Sequence, residues 1–353
     1  MKIIQVMPFF GLGGAETMCE NLVYELKKMG HEVVVVSLYN KQTPITERLE
    51  NAEIDIRYLN KKDGFDISLF NKLRRLFKQE KPDAIHTHIY TTKYVFPIAA
   101  QLKIRVIHTV HSIATKEMSK TSRKLNKFFY KHFDVTPVAL SEAIKKTIIE
   151  EYRLESLTVP VILNGIDLKK CKQKVHYDID NVFRIVHVGS FVEVKNHIGL
   201  IGAFEIFNKK HPDSELHLIG DGEKRTQIEQ MVSEKGLSKR VKFYGLQSNV
   251  HLYLSDMDIF TLPSLYEGVP MSMVEAMGTG LPIVASKVGG VPDMLDDDCS
   301  ILVQPDSVTI AEAFEIYYQN CYMREKHGKA VLKIADRFSS KTMAENYVNA
   351  YKI

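Results

Sequence analysis

The sequence predicts an α/β protein built from two parallel sheets in tandem. Three observations carry that reading. Short β-branched runs alternate with longer segments of helical spacing, the mark of βαβ units. The alternation breaks at a polar stretch, KKCKQKVHYDIDNV at 169–182, and then restarts. The chain also has 353 residues, more than the roughly 250–300 at which a single core stops growing.

In the first half the strand-like runs are Ile3–Met7, Val33–Leu38, Ile54–Leu59, Ala84–Thr87, Val106–Val110 and Val159–Leu163. The stretch 169–182 has neither helical nor strand period and reads as an interdomain linker. Beyond it, strands are expected at Arg184–Val188, Leu216–Ile219, Val241–Tyr244, Ile259–Leu262, Pro282–Ala285 and Ser300–Val303. Residues 307–353 hold helical patterns only. Each half has the size of a Rossmann-like domain, with boundaries expected at 1–168 and 181–335. In open parallel sheets ligands bind outside the carboxyl ends of the strands, on the loops that follow them. Two such sheets facing one another would form a cleft, and the chemistry is expected there.

Composition narrows the class. A hydrophobic share of 45% fits a soluble globular chain. There is no run of about 18 apolar residues that could span a membrane. The start, MKIIQVMPFFGLGGAET, reads as a strand and turn rather than a signal peptide, so a cytoplasmic location is expected. Cys19, Cys171, Cys299 and Cys321 form no C-x-x-C pair and read as reduced thiols. The net charge of +4 is unevenly spread: residues 1–180 carry 29 Lys and Arg against 21 Asp and Glu, and the remainder 18 against 22. The surplus in the first half points to an anionic partner, phosphate or membrane.

The most informative stretch runs from Ser264 to Gly278. A buried strand, Asp258–Leu262, leads into it and Pro263 ends the strand. Gly268 permits close backbone approach. Pro270 stands where a helix should begin, and the helix is expected to stop at Gly278. A helix N-terminus at the carboxyl edge of a sheet presents free N–H groups and a partial positive charge, a place for pyrophosphate. Glu267 precedes this helix and Glu275 lies within it. Two acceptor-only carboxylates at this separation can hold two hydroxyl-bearing parts of one ligand. On spacing alone, a solvated loop carboxylate and a surface helix carboxylate are an equal alternative. The apolar neighbours of Glu275 count against full exposure.

These residues resemble the E-x7-E motif of the retaining family-4 glycosyltransferases, enzymes of the GT-B fold with two facing Rossmann-like domains. Further segments match in order: Gly13-Gly14-Ala15-Glu16, Asn164-Gly165-Ile166-Asp167, Val188-Gly189-Ser190 through Lys195-Asn196, Ile219-Gly220-Asp221-Gly222 and Phe243-Tyr244-Gly245. The match runs to about residue 335. It implies that Glu267 binds the donor sugar's hydroxyls, that Glu275 binds the ribose, and that Lys195 offsets the charge of the departing diphosphate. Gly13, Gly14, Ser190, Gly245, Gly268, Val269 and Pro270 complete the implied donor-binding set. One departure stands out, because the family usually has an arginine where this chain has Ser190, and serine supplies no charge. In the family the C-terminal helix often crosses back to the first domain, and 336–353 is the segment that would do so here.

Gly11-Leu12-Gly13-Gly14 is a phosphate-friendly turn without G-x-G-x-x-G spacing or a P-loop lysine, and a plain tight turn is the alternative. His111 follows a strand at its carboxyl end, and the family has a histidine there near the reacting sugar. His86 and His88 form an H-x-H without a third ligand at hand and read as packing residues. Asp256-Met257-Asp258 enters a strand at its amino end, away from the site edge, and Asp296-Asp297-Asp298 reads as an exposed turn. No metal requirement and no cofactor are therefore expected, the nucleotide-sugar being a substrate.

Residues 116–132, KEMSKTSRKLNKFFYKH, combine six cations and one acid with Met118, Leu125, Phe128 and Phe129. Such a helix can lie on an anionic membrane as a peripheral contact or pack as an ordinary amphipathic helix, and both readings stay open. No nucleic-acid module is present. The resemblance implies sugar transfer from a nucleotide-sugar, a UDP-sugar first, to a glycan or lipid-linked acceptor in cell-surface polysaccharide synthesis. The alternatives are a GT-B sugar-nucleotide epimerase, a phosphorylase-like enzyme, and a catalytically silent sugar-nucleotide-binding protein, which Ser190 favours.

Overall fold

Strands buried on both faces need apolar side chains at every position, and the runs that satisfy this build two sheets. A computed structural model describes residues 1–11, 13–247 and 249–352. Its contacts divide the chain into two units, Met1–Gly165 with Ser340–Ile353, and Ile166–Ser339.

The first unit contains β1 (Lys2–Met7), β2 (Glu32–Ser37), β3 (Asp55–Tyr58), β4 (Ala84–His88), β5 (Arg105–Val110) and β6 (Val135–Ala139). All pairs are parallel, in the order β3-β2-β1-β4-β5-β6. The helix Ser340–Lys352 packs into this unit through its tyrosines. Thr109 and Tyr347 share a hydroxyl bond of 2.7 Å, and Gln5 Nε2 donates to the Tyr351 hydroxyl at 3.2 Å.

The sixth strand is Val135–Ala139, not the expected Val159–Leu163, which makes one isolated bridge, Val161 to Ala139. Pro137 hid the true strand. A proline inside a short run argues against a central strand, but β6 is an edge strand, where a missing N–H is tolerated.

The second unit contains β7 (Phe183–Val188), β8 (Ser214–Ile219), β9 (Val241–Phe243), β10 (Ile259–Leu262), β11 (Ile283–Ser286) and β12 (Ile301–Val303). They pair in parallel in the order β12-β11-β10-β7-β8-β9. Phe183, Phe204, Phe207, Phe314 and Tyr317 fill one side of this sheet. Counted from the first strand of its own unit, each sheet has the doubly wound order 3-2-1-4-5-6. The order reverses between β1 and β4 in one unit and between β7 and β10 in the other.

The stretch read as a linker, 169–182, belongs instead to the second unit. Cys171 and Tyr177 are buried. The Tyr177 hydroxyl donates to the Gly280 carbonyl (3.0 Å), Arg324 Nε donates to the Tyr177 carbonyl (2.9 Å), and Lys174 Nζ donates to the Met257 carbonyl (2.7 Å). Two of its polar side chains, Lys174 and Tyr177, pair with backbone carbonyls of the second unit, which composition alone does not reveal.

Candidate active site

At the switch point of the second sheet, the loops after β7 and β10 are tied together. The Leu265 N–H donates to the Val194 carbonyl at 2.8 Å. Asn196 holds the left-handed conformation (φ 53°), and its side-chain amide donates to the carbonyls of Pro263 (3.0 Å) and Pro305 (2.9 Å). This brace brings Lys195 Nζ to 2.6 Å from Glu267 Oε1, and the Ser264 hydroxyl donates to the same oxygen at 2.6 Å. The Glu267 side chain is 8% exposed and that of Lys195 20% exposed. A charge-assisted pair in such surroundings is short and holds both side chains in place.

The loop after β11 fixes the backbone of Glu267. Gly289 lies in the left-handed region (φ 54°), and a Cβ there would sit 1.9 Å from the Glu267 carbonyl oxygen. The Gly290 N–H donates to that oxygen at 3.0 Å. Ser264, Gly289 and Gly290 were missed in the sequence. Ser264 stands at the head of the stretch singled out above, without a role assigned to it, and the Gly289-Gly290 pair after an expected strand was the only signal for the two glycines.

The helix after Glu267 spans Met271–Thr279, so Pro270 is its N-cap rather than its first residue, and it ends at Gly280 (φ 79°) rather than Gly278. No side chain caps its start, so its first N–H groups are open to an anion. Val269 and Pro270 are buried and Gly268 partly so. Glu275, on the helix, is partly buried, and among the described residues no hydrogen bond reaches its carboxylate. Burial pushes that carboxyl up to about 7, with Lys170 pulling the other way.

The remaining expected residues of this unit line the same edge. Ser190 is exposed after β7. Gly220 (φ 139°) allows the next loop to touch it, since a Cβ there would lie 2.0 Å from the Gly189 carbonyl oxygen. Gly245 (φ 67°) accepts a 2.9 Å bond from the Gly220 N–H. Asp258 sits at the amino end of β10, where it accepts from the Arg184 N–H (2.8 Å) and faces Lys174 at 3.6 Å.

The first unit's edge is stocked differently. Gln5 Nε2 donates to Tyr351, so its Oε1 accepts from His88 Nε2 at 3.0 Å. His88 Nδ1 then accepts from His111 Nε2 at 3.1 Å. His86 bridges the Tyr351 and Thr109 hydroxyls, each at 2.8 Å. Burial, then His108, lowers His111 to about 3, and burial holds His86 and His88 well below the usual imidazole range. The cluster is neutral at physiological pH.

Gly13 is the N-cap of the helix Gly14–Lys28. Glu16 folds back over this turn, its carboxylate reaching the backbone of Gly11, and a Cβ on Gly13 would meet it at 2.6 Å. The phosphate-friendly turn thus already holds the chain's own anion. Leu12 lies outside the described residues. In the basic segment, the helix Lys120–His132 buries Phe129 against Phe96, while Phe128 and Phe133 stay exposed. No helix of the described residues is long and apolar enough to cross a membrane.

Comparison with known proteins gives the family. Residues 12–170 match the model of Glycosyltransferase Family 4, and residues 171–333 match that of Glycosyl transferases group 1. The chain is 30% identical over 304 residues to the UDP-Gal:alpha-D-GlcNAc-diphosphoundecaprenol alpha-1,3-galactosyltransferase of Escherichia coli, covering 77% of this chain and 78% of that one. It is 25% identical to the capsular polysaccharide biosynthesis glycosyltransferase CapH of Staphylococcus aureus, covering 82% of each. Among solved structures, Anabaena HepE in complex with UDP and glucose superposes with a TM-score of 0.85 at 19% identity, over 100% of this chain and 99% of that one. The chain belongs to the family-4 glycosyltransferases and has the GT-B fold.

Proposed function

We propose that this glycosyltransferase takes a UDP-sugar as donor and transfers the sugar, with retention of anomeric configuration, to a hydroxyl of a lipid-linked or glycan acceptor in cell-surface polysaccharide synthesis. The observation that carries the reading is the Lys195–Glu267–Ser264 cluster beside an uncapped helix start at the sheet's switch point. The similarity to an E. coli enzyme named for UDP-galactose supports the choice of donor.

In this reading Glu267 accepts from the sugar's hydroxyls, and the Glu275 carboxylate accepts from the ribose. The diphosphate rests on the N–H groups at the start of Met271–Thr279, near Gly268, Val269 and Pro270, with Ser190 and Gly245 on the adjoining loops. Lys195 trades part of its bond to Glu267 for the leaving diphosphate, and with Ser190 in place of an arginine it is the cation assigned to that charge. Gly13, Gly14 and His111 keep the roles that the family resemblance implies for them. A neutral His111 would serve as a hydrogen-bonding group rather than a charge. No metal and no cofactor take part. The enzyme works in the cytoplasm, with the basic segment 116–132 touching anionic lipid; no sedimentation with anionic liposomes at low salt would end that contact.

The test is transfer from UDP-sugars to a diphosphate-linked N-acetylglucosamine acceptor, with the product anomer read by NMR. An α-linked product from an α-donor is expected, and a β-linked product would contradict retention. A second reading, nucleotide-sugar binding without catalysis, is favoured by Ser190. Donor hydrolysis above background dismisses it.

A further inference from the structure

One face of the first sheet carries polar side chains where apolar ones are the rule. Side chains alternate along a strand. The registers Gln5–His86 and His88–Thr109 therefore place these four residues on one face, and His111 is next in the alternation beyond the end of β5. Tyr347 and Tyr351 reach the same face from the helix Ser340–Lys352. Gln5, His86 and His88 are fully buried, and Tyr351 is buried with them. An unpaired polar atom there would be costly. Among the described residues no buried atom of this set lacks a partner.

The bonds have a direction, and it runs between the helix and His111. Gln5 Nε2 donates to the Tyr351 hydroxyl, which leaves Gln5 Oε1 to accept from His88 Nε2 and His88 Nδ1 to accept from His111 Nε2. The Tyr351 hydroxyl donates its own proton to His86 Nδ1, and His86 Nε2 donates to Thr109 (2.8 Å each). A neutral imidazole carries a single N–H. With that proton spent on His88, His111 keeps a bare Nδ1, which no hydrogen bond among the described residues reaches. Reversing the direction requires the Gln5 amide to turn over and every proton of the path to cross its bond, so the path acts as a unit.

The backbone of His111 is held separately. Its N–H donates to Glu117 Oε1 at 2.9 Å. Glu117 is the one acid of the basic segment 116–132, yet its side chain is only 3% exposed, with the other oxygen 3.6 Å from His108 Nε2. The ring and the backbone of His111 are thus each fixed by groups outside it.

We infer that Tyr351, Gln5 and His88 are positioning residues that fix the His111 proton on Nε2, so that the bare Nδ1 at the sheet's carboxyl edge accepts a hydrogen bond from a substrate hydroxyl. A hydroxyl or an amide N–H can donate to that nitrogen, and a carboxylate or phosphate oxygen cannot. Burial, then His108, lowers the His111 ring to about 3, so at neutral pH a proton does not take the hydroxyl's place. His88, half of the H-x-H pair, gains a role beyond packing. The part of His111 toward substrate rests on the transferase reading above; the proton positions do not.

The test is nitrogen-15 NMR of the full chain labelled at histidine, which separates protonated from bare ring nitrogens. His111 is assigned by the signals missing from His111→Gln. Wild type should show His111 protonated at Nε2 and bare at Nδ1. Tyr351→Phe removes only a hydroxyl and frees the Gln5 amide to turn. It should give His111 a second tautomer and lower kcat, with the UDP-sugar that wild type uses, by about tenfold, the scale of one lost hydrogen bond. Its Kd for UDP should not change. Tyr347→Phe removes a hydroxyl from the same helix but from the Thr109 branch, and should match wild type in tautomer and kcat. His111 protonated at Nδ1 in wild type overturns the inference, and that spectrum needs no variant to fold. Tyr351→Phe behaving as Tyr347→Phe does in both readouts overturns it too. If the tautomers are as expected but no UDP-sugar supports transfer, the transferase reading fails and the proton path stands.

Discussion

The two units share one strand order and differ in what they place at its reversal. Between β1 and β4 the first unit buries Gln5, His86 and His88 in a hydrogen-bonded set that reaches Tyr351 and ends at His111. Between β7 and β10 the second unit holds an ion pair, Lys195 with Glu267, beside an uncapped helix start. One edge is a neutral network whose proton positions are set from within. The other carries full charges and open N–H groups. The same topology thus offers two ligand edges, and side-chain chemistry decides which meets charge and which meets hydroxyls.

The largest effect expected from breaking this contrast is at Lys195. Lys195→Ala removes the one cation assigned to the leaving diphosphate and should lower turnover by about 10²–10³-fold. Near-wild-type turnover would return that charge to some other group. Gly289→Ala should come next. Its Cβ would collide with the Glu267 carbonyl, and a forced left-handed residue alone costs about 1–3 kcal/mol. A matching loss in urea midpoint together with a raised donor KM is expected; an unchanged KM would free Glu267 from that loop.

A smaller effect concerns pH. The Glu275 carboxyl is raised to about 7, so it is protonated below that value and ionised above it. Ribose hydroxyls donate to the ionised form, so UDP affinity should rise between pH 6 and 8 by about tenfold at most. Glu275→Gln should flatten that rise. His111 is held near 3 and stays neutral across the same range, so His111→Gln should leave the slope intact. A slope that survives Glu275→Gln would contradict the assignment.

Much of this contrast was legible in the sequence, because strand-ending loops after apolar runs announce a site edge. Glu267, Glu275 and Lys195 stood out through their place after such runs and through the family motif. Ser264 and Gly289 did not, because their partners come from other strands and only folding brings them together. Pro137 concealed β6 because local composition does not say which strand lies at the edge. The stretch 169–182 looked like a linker because Lys174 and Tyr177 read as solvent-facing polar residues, whereas they satisfy backbone carbonyls of the second unit, a property of the packed state. The Glu16 carboxylate over the Gly11–Gly13 turn was hidden for a related reason: a first-turn acid reads as a favourable helix charge and does not reveal that it fills the turn.

The central claim is that the second unit's switch point clamps the sugar of a nucleotide donor through Glu267. Calorimetric titration of wild type and Glu267→Gln with UDP-galactose, UDP-glucose and UDP tests it directly. Wild type should bind one UDP-sugar more tightly than UDP, and Glu267→Gln should erase that difference while still binding UDP. A variant that keeps the full preference for the sugar-bearing nucleotide would contradict the account.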